Sequence, residues 1–284
     1  GLSGPGCLFG LSADELMDIL DISEYTSYKI VQRMKTMNVF LKHIYEYEQK
    51  GIRIITKYDE EYPQILSKKM KKNAPTCLFV IGNLPVEFEG ISLTGLQTVT
   101  KKEKGCIKRL VDKINNENKW LISNDCKGVD QEAFQYALHH HGHIISFLCE
   151  KMEDKAMEYK RYIRSGNLVL LSAIDPIKRF TVTHAIDRNS YVCGLSKFQV
   201  VVSSKINSGA TWFTIMHNMH HNWTISLVID NDCFGNQRLL EMKTTPLYVK
   251  NIVSDMSFEM IYNENKKEEV EEEINIDQMS IFEF

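Results

Sequence analysis

Short apolar runs alternate with amphipathic segments of helix length over most of the chain. The runs are four to six residues long, rich in β-branched residues and apolar nearly throughout. Such runs are typical of strands buried on both faces, as in a parallel sheet. They lie at residues 77–81, 90–93, 120–123, 143–148, 168–171, 198–202 and 224–229. Segments with helical spacing, such as 101–116 and 130–140, lie between them. The pattern therefore predicts a doubly wound α/β fold with a mostly parallel sheet and helices on both faces.

Ahead of the sheet, residues 1–50 carry helical signals. Ser12 and Glu15 have the spacing of a capping box, and an apolar stripe follows them. A second helix is expected to begin near Thr26. These signals predict a small helical accessory module.

The remaining residues divide into a sheet domain, residues 51–258, and a tail, residues 259–284. The sheet domain has the size and strand-helix alternation of a Rossmann-like unit. The tail holds nine acidic and two basic residues, a net charge of −7, and residues 263–277 within it include few apolar residues. A segment of this composition buries too little surface to fold alone, so a disordered acidic tail is predicted.

The net charge and the cysteines limit the classes of function that the chain can have. The whole chain carries −3, so the part ahead of the tail carries +4 and any nucleic-acid site must be a local patch. No run of about eighteen apolar residues is present, and no secretory signal precedes the first module, so a cytoplasmic protein without a membrane span is expected. The seven cysteines are scattered without a C-x-x-C pair, which indicates reduced thiols.

Histidines raise the alternative of a metal site. Five of the seven lie on two predicted helices, where spacings of three or four residues place side chains on one face, and His141 and His143 follow the first of these helices. No acid or cysteine completes a ligand set, and Gly142 favours a polar helix end instead. No metal and no cofactor are therefore expected. The residues concerned are His139, His140, His141, His143, His217, His220 and His221.

The turn after the sixth apolar run carries the strongest chemical signal. Ser208, Gly209, Ala210 and Thr211 follow the run at 198–202 and open a helix expected over residues 212–221. In an open α/β sheet, ligands bind beyond the carboxyl ends of the strands, where free backbone N–H groups and small hydroxyls favour a phosphate. The turn is therefore a predicted phosphate site.

The residues around this turn also match a known sequence pattern. Two motifs of the DNA-processing protein A family, also called DprA or Smf, read R-N-R-I-I-x-G-L-S and S-G-x-x-x-T. The chain resembles them at Arg188, Asn189, Gly194, Leu195, Ser196, Ser208 and Gly209. The likeness covers about residues 51–250, including the Y-D-E-E-Y-P string at 58–63 and the G-V-D string at 128–130.

The resemblance implies a Rossmann-like domain that holds single-stranded DNA at its strand ends and helps load a RecA-type recombinase. It also implies a sterile-alpha-motif-like fold for residues 1–50. The nucleic-acid or phosphate-binding residues that it implies are Thr94, Gly95, Gln97, Thr98, Lys127, Gly128, Arg188, Asn189, Ser208, Gly209 and Thr211. The sequence leaves open whether the chain forms a homodimer. Arg188 and Asn189 have the alternative role of anchoring a loop through backbone carbonyls.

Two turns depart from the family pattern. Gln97 stands where the family's V-G-S-R turn has its arginine. The S-G-x-A turn becomes Ser-Asn-Asp-Cys at 123–126, which loses a glycine and gains Asp125. Both changes are expected to weaken anion binding by roughly a few kcal/mol if both positions face the ligand, with Lys127, Lys101 and Lys102 compensating in part.

The end of the tail resembles the Q-L-S/D-L-F peptide with which many bacterial replication and repair proteins dock on the DNA sliding clamp. The matching residues are Gln278, Met279, Ser280, Ile281 and Phe282. An extended peptide of this kind can seat a glutamine amide in a polar notch and two apolar side chains in a cleft. The alternative is that Ile281 and Phe282 fold back on the protein's own core.

No nucleophile-base pair, P-loop or dinucleotide fingerprint is present, so the chain is predicted to bind rather than to catalyse. Two hypotheses remain. The first is a single-stranded DNA-binding recombination mediator, with bases stacking on Tyr191, Phe180 or Trp212. The second is a Rossmann-like sensor or hydrolase of a nucleotide or nucleotide-derived ligand.

Overall fold

The structure, a computed structural model, describes residues 5–266. Its sheet is formed by β1 (Arg53–Thr56), β2 (Cys77–Ile81), β3 (Gly90–Thr94), β4 (Trp120–Ser123), β5 (His143–Leu148), β6 (Leu168–Ser172), β7 (Ser196–Val201), β8 (Ile225–Ile229) and β9 (Thr245–Leu247). The helices are α1 (Ala13–Leu20), α2 (Glu24–Lys35), α3 (Met37–Gln49), α4 (Gln64–Met70), α5 (Lys101–Asn116), α6 (Val129–His139), α7 (Met152–Glu158), α8 (Lys160–Arg164), α9 (Val182–Leu195), α10 (Gly209–His221), α11 (Phe234–Glu241), α12 (Val249–Ile252) and α13, described over residues 258–266.

The order of the described strands is β1-β2-β6-β5-β4-β3-β7-β8-β9. From β3 the chain steps outward through β4 and β5 to β6. It then crosses back to the other side of β3 and continues outward through β7, β8 and β9. The strands from β6 to β9 along this order pair in parallel, and β1 and β2 are antiparallel. This reversal confirms the doubly wound, mostly parallel α/β prediction.

Helices cover both faces, as the apolar runs require. Ile91 and Leu93 on β3 pack in the cluster that includes α5 and α6, whereas Val192 and Leu195 of α9 pack on the opposite face together with α4. The two edge strands β1 and β9 were missed by the pattern analysis. β1 reads Arg-Ile-Ile-Thr with only two apolar residues, and β9 has three residues, so neither stands out as an apolar run.

The N-terminal helices attach to the sheet through the end of α3. Both capping-box bonds between Ser12 and Glu15 are present at the start of α1, as predicted. Tyr47 packs edge-on against Phe79 at 5.6 Å, and its hydroxyl donates to Asp175 Oδ1 at 2.5 Å. A sterile-alpha-motif-like fold for this module stays a prediction.

Among the described residues, none of the helices combines the length and apolarity needed to cross a membrane.

The folded part continues past the expected start of the tail at residue 259. Phe258 and Ile261 of α13 are buried in the core cluster of α5 and α6, and the Phe258 ring lies 6.2 Å from that of Phe198. Asn265 Nδ2 donates to the carbonyl of Pro246. The apolar residues at 258 and 261 have helical spacing, so this short helix docks even though its other positions are polar.

Replacing Phe258 by Ala is expected to lower the free energy of unfolding by about 3–5 kcal/mol, because a fully buried ring is lost. Urea unfolding measures this change. Phe234→Ala is the matched control, since Phe234 is 83% exposed, and its effect is expected to stay within about 0.5 kcal/mol. Equal stabilities for the two variants would show that α13 does not belong to the folded domain.

Candidate functional site

Three turns meet at the carboxyl edge of the sheet, where the strand order reverses between β3 and β7. They follow β3, β4 and β7, which are neighbours in the sheet. Between them lies a pocket of about 210 Å³. Nine of the predicted site residues line it: Thr94, Gly95, Gln97, Lys127, Arg188, Asn189, Ser208, Gly209 and Thr211. Thr98 and Gly128 do not line it, and Thr98 is exposed outside it.

The glycines of the first two turns are needed for packing between the turns. Gly128 has φ +102°, and a Cβ there would lie 2.2 Å from the carbonyl oxygen of Leu96. A Cβ on Gly95 would lie 2.4 Å from Val129 Cγ2. Both distances are too short for any side chain. These glycines therefore hold the β3 and β4 turns together, and their contact with a phosphate stays a prediction.

The third turn leaves a helix N-terminus open. Helix α10 begins at Gly209, three residues earlier than predicted, and Ser208 makes no side-chain cap to it. In contrast, Thr100 and Glu103 close the start of α5 with a capping box. The first-turn amides of α10 are thus available to an anion, and the helix dipole favours one there. The Thr211 hydroxyl donates to the Gly95 carbonyl at 2.8 Å, so it fixes the turn.

Arg188 and Asn189 lie on helix α9. Arg188 is buried; its Nη1 donates to Cys149 Sγ at 3.3 Å and its Nη2 to Asn189 Oδ1 at 3.2 Å. The Nε of Arg188 has no protein partner. Asn124, which replaces the family's glycine, donates from Nδ2 to the same Asn189 oxygen at 3.0 Å. This network, rather than backbone carbonyls, holds the guanidinium in the pocket wall.

Asp130 also lines the pocket, although it was not among the predicted binding residues. Its carboxylate accepts hydrogen bonds from Ser123 Oγ and from the backbone N–H groups of Asn124 and Cys126, at 2.8 to 3.2 Å. Burial raises the pKa of this carboxyl to about 6, although these hydrogen bonds and the Arg188 guanidinium oppose the shift. The side chain lines the pocket and orders the β4 turn.

The acid gained at position 125 does not oppose an anion in the pocket. Asp125 does not line the pocket, and its carboxylate pairs with Lys155 Nζ of α7 at 2.5 Å. The condition for the expected weakening, that Asp125 faces the ligand, is therefore not met. Among the described residues that line the pocket, Asp130 is the one acid, beside the cations Lys127 and Arg188. Lys101 and Lys102 do not line it.

The structure also changes which aromatic residues are candidates for stacking on a DNA base. Trp212 is buried, and Tyr191 is half-buried with its ring 5.3 Å from that of Phe147, so neither offers a free face to a base. Phe180 is about half exposed. The sequence analysis missed Phe213, which is 62% exposed and lies one turn after the pocket residue Ala210 on the same side of α10.

Two polar residues on the pocket floor were missed as well. Ser92 on β3 and Gln199 on β7 line the pocket and are direct partners in the parallel pairing. Each is a polar residue within an apolar strand, and this interruption of the pattern could have identified it from the sequence.

No group of three or more potential metal ligands exists within residues 5–266.

One family model matches most of the chain, and solved structures share its fold. Residues 53–257 match the model of the DNA recombination-mediator protein A family. A DNA processing protein A from Streptococcus pneumoniae has a similar structure, with a TM-score of 0.69, 20% identity and coverage of 90% of both chains. A DNA processing protein A from Helicobacter pylori, described for its single-stranded DNA binding mode, has a TM-score of 0.59 and 17% identity over 71% of this chain and 92% of its own. No curated protein sequence matches the chain.

Replacing Asp130 by Asn tests its shifted pKa. The unfolded chain releases this proton near 3.8, whereas the folded protein holds it to about 6. Between these values the folded state binds more protons, so the stability of the wild type relative to Asp130→Asn is expected to fall as pH rises from about 4 to 7, by up to about 3 kcal/mol. Urea unfolding of both proteins across this range measures the difference. A difference that is constant with pH would contradict the assignment.

Proposed function

The chain belongs to the DNA recombination-mediator protein A family, and on that premise we propose that it binds single-stranded DNA at the β3/β7 crevice and helps load a RecA-type recombinase. The observation that carries this proposal is the uncapped start of α10 facing a pocket with two cations. Backbone amides, a helix dipole and an arginine favour a phosphate over other anions of similar size.

Cations continue along the same edge of the sheet beyond the pocket. Exposed basic residues follow four strands that end there: Lys151 after β5, Lys178 and Arg179 after β6, Lys127 after β4 and Lys205 after β7. From β6 to β7 the edge crosses four strand spacings, about 19 Å. A row of this length suits several phosphates of a polymer better than one mononucleotide, and this favours the DNA hypothesis over the nucleotide sensor.

Exposed aromatic rings accompany these cations. Phe180 precedes α9, and Phe213 stands on α10 beside the pocket. Basic residues that follow a backbone together with rings on which bases stack are typical of sequence-tolerant single-strand binding. The loss of the family's arginine at Gln97 is offset in this proposal by Lys127 on the rim and Arg188 in the wall.

The proposal keeps the expected cytoplasmic location and the expectation that no cofactor is bound. It assigns a binding role without a catalytic step, because Asp130, the one acid among the described residues that line the pocket, is engaged by three hydrogen-bond donors of its own turn. Transfer of the strand to the recombinase follows from the family premise.

Lys127→Ala tests the rim. It is expected to weaken binding of fluorescent oligothymidylate about fivefold at fixed salt, and to lower the slope of log affinity against log salt by about 0.7, the value for one lost phosphate contact on a single strand. Arg188→Ala is expected to cost tenfold or more, since a charge-assisted hydrogen bond is lost.

Lys35→Ala is the matched control, because Lys35 is exposed on α2 and does not line the pocket. Identical affinities for Lys127→Ala and Lys35→Ala would show that Lys127 does not contribute to DNA binding. A shallow salt slope, with full displacement of the oligonucleotide by a mononucleotide, would favour the nucleotide-sensor alternative.

We further propose that the motif Gln278, Met279, Ser280, Ile281 and Phe282, which lies outside the described residues, docks on the DNA sliding clamp. A buried apolar pair with a glutamine amide suits peptide docking in a cleft. In the sequence, a stretch rich in acidic residues separates this motif from the sheet domain that contains the pocket.

Deleting residues 278–284 is expected to abolish binding to an immobilised sliding clamp and to leave the melting temperature unchanged, because a docking peptide contributes nothing to the fold. Glu283→Ala, outside the five-residue motif, serves as the control and should bind normally. A large drop in melting temperature on deletion would support the fold-back alternative instead.

A further inference from the structure

We propose that Tyr47, on the last turn of α3, is a positioning residue for DNA binding: it holds the loop after β6 so that the basic residues of this loop meet the strand. The inference rests on the proposed function, because that loop belongs to the same edge of the sheet. It also goes beyond it, since it makes the N-terminal helices part of the DNA-binding surface.

The loop between β6 and α9 carries three of the groups assigned to DNA. Residues 173–181 form neither helix nor strand, and Lys178, Arg179 and Phe180 are exposed on them. A loop without regular structure samples many conformations unless other contacts restrain it. Restraints that exist before binding lower the entropy cost of binding. The affinity for DNA therefore depends on what holds this loop.

A tight turn precedes the basic residues. The backbone N–H of Lys178 donates to the Asp175 carbonyl at 2.9 Å, and the N–H of Ile177 donates to Asp175 Oδ1 at 3.2 Å. Asp at the first position and Pro176 at the second are the residues that such a turn favours. The position of Asp175 therefore sets where Lys178 leaves the loop.

Tyr47 holds the Asp175 carboxylate from outside the loop. Its hydroxyl donates to Asp175 Oδ1 at 2.5 Å. Among the hydrogen bonds of residues 5–266, this is the one that joins residues 173–181 to a segment other than the adjoining β6 and α9. Burial and the neighbouring Asp175 carboxylate raise the pKa of Tyr47, so the hydroxyl keeps its proton and remains the donor.

The Tyr47 ring is itself fixed on the sheet. It is 4% exposed and packs edge-on against Phe79 of β2. Phe79 is the register partner of Ser172, the last residue of β6, so the ring lies beside the strand from which the loop emerges. The Tyr47 carbonyl accepts the N–H groups of Lys50 and Ile52 at 3.0 and 2.8 Å, where the chain turns from α3 toward β1. Tyr47 is therefore a rigid anchor for a loop that has few restraints of its own.

A positioning role and simple charge repulsion predict opposite effects of Asp175. This residue is an acid beside cations that are assigned to DNA, and an acid there repels a polyanion. On charge alone, removal of Asp175 would strengthen DNA binding. If Asp175 is the group through which Tyr47 holds the loop, its removal weakens DNA binding instead.

Tyr47→Phe keeps the ring and removes the hydroxyl. It is expected to weaken binding of fluorescent oligothymidylate about three- to fivefold at fixed salt, because the loop must then be ordered during binding. Tyr45→Phe is the matched control, since Tyr45 lies on the same helix, is 62% exposed, and should bind like the wild type. A wild type that does not bind would overturn the proposed function. A wild type that binds, with equal affinity in Tyr47→Phe, would overturn this inference alone.

Two variants of Asp175 test the sign of the effect. Asp175→Ala is expected to weaken oligothymidylate binding about three- to fivefold, although it removes a negative charge. Asp175→Asn keeps an acceptor oxygen for the Tyr47 hydroxyl and is expected to bind at least as tightly as the wild type. Tighter binding by Asp175→Ala would contradict the positioning role and support charge repulsion. This pair decides the question even if Tyr47→Phe does not fold.

A double-mutant cycle distinguishes positioning from a general loss of stability. Replacing Lys178 and Arg179 together by Ala is expected to weaken binding about tenfold in the wild type and only about twofold in Tyr47→Phe, because cations that are not positioned contribute less. Equal losses in the two backgrounds would refute the inference.

Trypsin, which cleaves after Lys and Arg, reports the release of the loop directly. Cleavage after Lys178 and Arg179, followed by mass spectrometry, is expected to be faster in Tyr47→Phe than in Tyr45→Phe, because a released loop fits a protease more readily. Equal cleavage rates in the two variants would show that the Tyr47 hydroxyl does not hold the loop.

Discussion

The parallel pairing of β3 with β7 is the constraint on which the rest of the structure depends. Strands that are far apart in sequence become neighbours there, and the chain leaves them in opposite directions across the sheet. The backbones pack closely where the pairing of β3 with β7 begins. A Cβ on Gly90 would lie 2.6 Å from the Leu195 carbonyl, and α9 runs into β7 with no loop between them. Helix α9 is thereby fixed across the sheet, and its residues Arg188 and Asn189 reach the carboxyl edge.

Function in this pocket comes at a cost in stability. The parallel strands are buried on both faces, and a polar side chain on such a strand usually needs a partner. An unsatisfied buried group costs about 1–3 kcal/mol, so Ser92, Gln199 and the Arg188 Nε together represent a sizeable fraction of the stability of an ordinary domain. The core clusters on the two faces of the sheet offset this cost.

The departures from the family pattern are accommodated by contacts between elements. Asn124, in place of a glycine, reaches α9 and holds Asn189, which in turn holds the Arg188 guanidinium. Asp125 adopts a left-handed backbone with φ 51° and pairs with Lys155 of α7. The cation lost at Gln97 has no such local replacement, and the charge at the pocket is supplied by Lys127 and Arg188 from two other elements.

The sequence by itself determined the fold class, most strand positions and the turns that line the site. The continuous apolar runs predicted seven strands because burial on both faces requires them, and nine of eleven proposed site residues line one pocket. Only the tertiary structure decided which polar atoms lack partners, that Asp125 is neutralised by Lys155, that Trp212 is buried while Phe213 is exposed, and that α13 belongs to the fold. These facts depend on contacts between segments distant in sequence and on the exact phase of a helix, and a local pattern of apolar and polar residues contains neither.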